Sequence, residues 1–156
     1  MDASGLTSPP EEQPQERARR ASLTLVRSAR FAKQVVDAYN GLCAFCGLNF
    51  GLVEGAHIYP VQAPGSVDEV WNGLALCSNH HSAFDRHLLW IHPRERSVRA
   101  HPAILSSTPH NEAARLFLGM TYSELLAPMS AESFPRPEMF ERRYNFFDKE
   151  YSWAVD

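Results

Sequence analysis

Cys43-x-x-Cys46 and Cys77-x-x-His80 are two pairs of metal-ligating side chains, with 30 residues between the pairs. Each x-x spacing lets two side chains converge from one turn, and zinc takes four such ligands in a tetrahedron. The pairs use all three cysteines of the chain. Gly47 follows directly on Cys46, where a tight knuckle needs a residue with a permissive backbone. The spacing therefore predicts a structural zinc site held by Cys43, Cys46, Cys77 and His80, with His81 the alternative to His80. A site closed by four protein ligands leaves no position for a substrate, so any catalytic ion must be a second one. A redox role for Cys43-x-x-Cys46 would need a βαβ setting, and none surrounds it.

Between the pairs lie Gly55-Ala56-His57-Ile58-Tyr59-Pro60 and Trp71-Asn72-Gly73-Leu74, and His81 follows the second pair. His57, Asn72 and His81, interleaved with zinc half-sites, resemble the HNH nuclease motif. His81-x-x-Phe84-Asp85-Arg86 is similar to the tail of HNH domains in bacterial restriction-type nucleases. The stretch carrying Arg27, Phe31, Val35 and Tyr39 looks like the lead-in of that group. Leu116-Phe117-Leu118-Gly119, Pro137 and Arg143 resemble its C-terminal part more loosely. The resemblance implies an α+β fold with a small ββα-metal core, a structural zinc and flanking N- and C-terminal helices.

It also implies a metal-dependent DNA endonuclease that hydrolyses phosphodiester bonds in a bacterial or phage restriction or defence setting. Such hydrolysis needs a nucleophilic water and neutralisation of charge on the phosphate and leaving oxygen. His57 would be the general base, since a neutral imidazole near pH 7 can accept the water's proton. His81 would ligate a divalent ion, Mg²⁺ or another, and Asn72 would hold the loop that orients His57. Ala56 stands where many relatives carry a second metal ligand. Asp85, one helical turn after His81, is the candidate replacement, and Glu54 is a further candidate. Asn72 before Gly73 also reads as an ordinary turn pair, and Asp85 reads equally as a partner for an arginine or a backbone amide. DNA is the implied partner, with a homodimer or a larger defence assembly left open.

These residues need a frame. Leu23, Val26, Phe31, Val35 and Val36 recur at near-helical spacing ahead of Asn40-Gly41, a good C-terminal stop. Residues 52–59 and 74–76 have strand character, and 61–70 read as a loop around Pro64-Gly65. Ser78 and Asn79 are good N-caps for a helix over 80–89. Residues 90–92 and 98–100 read as strands around a turn, with further helices near 111–119 and 137–149. The reading is a disordered tail over 1–16 and a single domain over 17–156, its core at about 40–92 and a helical extension over 102–156.

The 156 residues carry a net charge of −3. That balance is not that of a strongly basic nucleic-acid binder. It leaves a second reading, a non-catalytic zinc module that binds nucleic acid or protein. Local charge differs from the mean, however. Arg86, Arg94, Arg96 and Arg99 stand against Glu95 alone. Arg86, Arg94 and Arg96, with His87, are the candidate DNA-phosphate contacts. No apolar run is long enough for a membrane span, the N-terminus has no apolar signal region, and a cytoplasmic location is expected.

Overall fold

The computed structural model describes residues 13–155. The expected tail over 1–16 falls mostly outside them. Within them the chain is helical from Pro14, the first residue of α1 (Pro14–Ala38). A proline at the first helical position loses nothing, because its missing N–H would have no intrahelical partner. Asn40 and Gly41, both at positive φ, end the helix, and the Gly41 amide donates to the Val36 carbonyl at 2.9 Å.

The knuckle of Cys43 and Cys46 follows, and then β1 (Val53–His57) and β2 (Gly73–Cys77) pair antiparallel, with Val53 opposite Cys77 and His57 opposite Gly73. A short 3-10 turn, Val70–Asn72, closes the connection. α2 (Ser78–Asp85) leaves β2 directly. A second hairpin, β3 (Leu89–Ile91) with β4 (Val98–Ala100), leads to α3 (Pro102–Ser107), α4 (Glu112–Met120) and α5 (Pro137–Phe146). The fold is the expected α+β arrangement, a ββα core flanked by helices. α3 and the short 3-10 turns are additions to the sequence reading.

Helix α2 differs in register from its expectation. It starts at Ser78 with Cys77 as N-cap, and Arg86 is its C-cap. The early start puts Cys77 and His80 on one turn. The early stop comes from His87, which sits at φ 60°. Its amide donates to Phe84, and the Leu88 amide donates to Ala83. Those two bonds are the left-handed helix terminus that glycine usually provides.

Phe31 and Val35 of α1, and Tyr39 at its C-cap, are buried in one core with Leu74, Leu76, Ile58, Phe45 and Phe84. Two glycines make that approach close enough. A Cβ on Gly55 would lie 2.6 Å from Ala32 Cα and 2.8 Å from its carbonyl oxygen, and one on Gly73 would collide with Val35. Both glycines are therefore needed for space. Gly55→Ala should push α1 off the sheet and lower unfolding stability by about 1–3 kcal/mol in a urea melt.

Candidate functional site

The four expected zinc ligands come together. Cys43, Cys46 and Cys77 Sγ and His80 Nδ1 all lie within 4.8 Å of one another. Cys46 and Cys77 Sγ are 3.9 Å apart, and His80 Nδ1 is 3.2 Å from Cys77 Sγ and 3.8 Å from Cys43 Sγ. A tetrahedron with zinc's usual bond lengths has edges of about 3.6–3.8 Å, so the donor set fits that ion. The knuckle is shaped by Gly47 at φ 75°, whose amide donates to the Cys43 carbonyl.

The His80 tautomer is set from behind. Thr121 Oγ1 donates to the Phe117 carbonyl at 2.6 Å, so toward His80 Nε2, 2.8 Å away, it accepts. Nε2 carries the proton, and Nδ1 presents its lone pair to the thiols. Burial pushes the Cys43 thiol up to about 12 and His80 down to about 4. Burial by itself thus disfavours charge on both groups, and a cation among them is what would stabilise Cys43 as a thiolate. His81, the alternative ligand, points elsewhere.

Separate from that cluster, none of whose ligands borders it, His57 and His81 line one cleft of about 510 Å³ with Ala56, Gln62, Asp85 and Arg143. His57 ends β1. Its ring stacks on Phe31 of α1 with centroids 3.9 Å apart, and its Nε2 lies 2.9 Å from Asp68 Oδ1. His81 occupies the first turn of α2. Its Nδ1 is 2.7 Å from Glu54 Oε1, and its Nε2 is 3.3 Å from Asp85 Oδ2. The imidazole is flanked by a carboxylate on each side.

Asn72 is fully buried. Its Oδ1 accepts from the Tyr59 amide at 2.9 Å, and its Nδ2 donates to the Val67 and Tyr59 carbonyls at 2.9 and 3.2 Å. It pins both ends of the loop that follows His57, so it is more than a turn residue. That closed loop brings Asp68 back to His57.

The expected DNA contacts do not share one surface. His87 lines the cleft, half-buried, its ring packed against Phe147 and Tyr151. Arg86 borders a groove between α2 and the α3–α4 pair. Arg94 pairs with Glu141 at 3.7 Å, and Arg96 lies over Phe134 with Nη1 buried.

Two residues escaped the sequence reading of the site. Asp68 sits in an irregular loop with no motif spacing to mark it. Arg143, noted only within a loose C-terminal likeness, is 2% exposed and holds the cleft's floor. It donates to the Ile58 carbonyl at 3.0 Å, the Phe84 carbonyl at 2.8 Å and the Tyr151 hydroxyl at 2.7 Å, and it lies over the Phe84 ring. It thereby ties the exit of β1 to the end of α2.

A hairpin followed by a helix, with a Cys3His group that could hold a metal ion and one histidine from each element facing a common cleft, defines a ββα-metal core. Residues 43–92 match the family model HNH_2, described as HNH endonuclease, and the chain carries a domain of that family. Among solved structures it is similar to the modification-dependent TagI restriction endonuclease. That likeness has a TM-score of 0.56 at 23% identity and covers 78% of this chain. This chain spans 38% of the length of that one. No curated protein matches the chain.

Proposed function

We propose that the chain is a metal-dependent DNA endonuclease that hydrolyses phosphodiester bonds, in a restriction or related defence role. One observation carries the reading: His57 and His81 line the same cleft, and none of the four clustered Cys and His ligands borders it.

His57 acts as the general base. Asp68 accepts a hydrogen bond from Nε2–H, which leaves Nδ1 to take the water's proton, and the carboxylate then steadies the imidazolium. Stacking on Phe31 fixes the ring plane, and Asn72 fixes the loop that delivers Asp68. His81 Nε2 with Asp85, which lines the cleft, would hold the divalent ion, and Glu54 at Nδ1 would orient the ring. One imidazole among carboxylate oxygens suits Mg²⁺ or Mn²⁺, which keep several waters and need few protein ligands. When bound, that ion supplies the positive charge that stabilises the phosphate and the leaving oxygen. The Asp85 carboxylate beside His81 would stand in for the ligand that Ala56 does not supply.

The test is conversion of supercoiled plasmid to the nicked form by the zinc-loaded chain with Mg²⁺ or Mn²⁺ added. Plasmid left intact with either ion and with modified as well as unmodified DNA would instead assign the domain to binding without cleavage. Asp68→Asn should lower the nicking rate about ten- to a hundred-fold while the melting temperature stays put, because it removes only the orientation of the base.

A further inference from the structure

Helix α1 extends well past the domain it packs on. Its buried residues are Phe31 and Val35, and every residue from 14 to 30 is exposed. That exposed stretch is roughly 25 Å long at 1.5 Å per residue. α1 holds six basic residues (Arg17, Arg19, Arg20, Arg27, Arg30 and Lys33) against Glu16 and Asp37, in a chain of net charge −3.

The arginines have a direction. At 100° per residue, Arg17, Arg20 and Arg27 fall within about 40° of Phe31, while Leu25 and Val26 fall on the far side. The face that meets the hairpin at Phe31 therefore continues outward as arginine. Phe31 itself stacks on His57, so the stripe ends at the candidate base. Arg27, Arg30, Phe31 and Gln34 form one wall of a recess facing residues 66–69. Asp68 in the opposite wall is engaged by His57, and neither Arg27 nor Arg30 forms an ion pair among the described residues.

We infer that the arginine face of α1, with Arg30 beside it on the recess wall, is a rail for the phosphate backbone of duplex DNA, leading away from the cleft. The inference rests on the nuclease reading and deepens it by naming the surface that holds the substrate. Guanidinium forks suit phosphate oxygens, and each neutralised phosphate releases counterions. Pairing of this face with that of a second copy would set like charges against each other. The arginines expected to contact DNA between residues 86 and 96 lie outside the cleft, which leaves α1 as the basic surface continuous with it.

The experiment is a fluorescence-anisotropy titration of a labelled duplex of roughly 20 base pairs with the full zinc-loaded chain. Salt is varied between about 50 and about 200 mM. Arg27→Gln/Arg30→Gln should bind about ten-fold more weakly and flatten the log K against log salt slope by about 2, with zinc content and melting temperature unchanged. Arg27→Lys/Arg30→Lys should restore most of the slope. Unchanged affinity and slope in the glutamine variant overturn the rail. So does a wild-type dimer in sedimentation that the variant loses while its DNA binding stays intact, which would give this face to a second copy. Plasmid nicking by wild type separates the two readings. Nicking with unaltered variant binding refutes the rail alone, and altered binding without nicking refutes the nuclease alone.

Discussion

Cys43→Ala leaves a chain that no longer folds. Cys43 Sγ belongs to a cluster whose four donor atoms lie within 4.8 Å of one another. That cluster is where the knuckle, the end of β2 and the start of α2 meet, beside the Ala44–Ala75 backbone bond and the packing of Phe45 on Phe84. Structural zinc sites in small modules contribute about 10–16 kcal/mol, which matches or exceeds the whole stability of an ordinary domain, about 5–15 kcal/mol. Zinc content should drop from near one per chain to near zero. Far-ultraviolet circular dichroism should lose its cooperative melt. A variant that melts as wild type would show that the thiols are ordinary core residues.

Acid should act in the same direction. His80 is held at about 4, below its ordinary 6.5, by burial. A histidine with a depressed folded value contributes stability that is complete above about 6.5 and is lost as pH falls through about 4. Protons also compete with zinc for the thiolates. Metal release and unfolding should therefore coincide over that window, followed with a zinc-sensitive dye and circular dichroism on the same sample.

His57→Ala should abolish nicking while leaving the fold and bound zinc in place. A positioned general base contributes about a hundred- to ten-thousand-fold, so the residual rate should fall within or below that range. The zinc cluster does not include His57, and the hairpin register is set by backbone pairing. The cost in stability comes from the stack on Phe31 and the bond to Asp68, which in a partly exposed pair is modest. Single-turnover plasmid nicking at saturating Mg²⁺ or Mn²⁺, with metal analysis of the same preparation, checks both halves. Wild-type rates in His57→Ala would remove this histidine from the chemistry, and Asp68 and Phe31 would then be serving packing alone.

What was legible in the sequence is what short-range spacing can encode. The two ligand pairs each act within one turn, so Cys43, Cys46, Cys77 and His80 are readable as a set. The strand–loop–strand–helix order around His57, Asn72 and His81 is readable for the same reason. Helix α1 and its stop at Asn40-Gly41 follow from periodicity and from the backbone freedom of those residues. The tertiary structure decided the rest, because it depends on contacts across long separations. Asp68 reaches His57 only once Asn72 has closed the loop. Arg143 reaches the Ile58 carbonyl across 85 residues. Thr121 settles which nitrogen of His80 faces the thiols from 41 residues away. The direction of the arginine stripe has a meaning only after Phe31 has docked on His57.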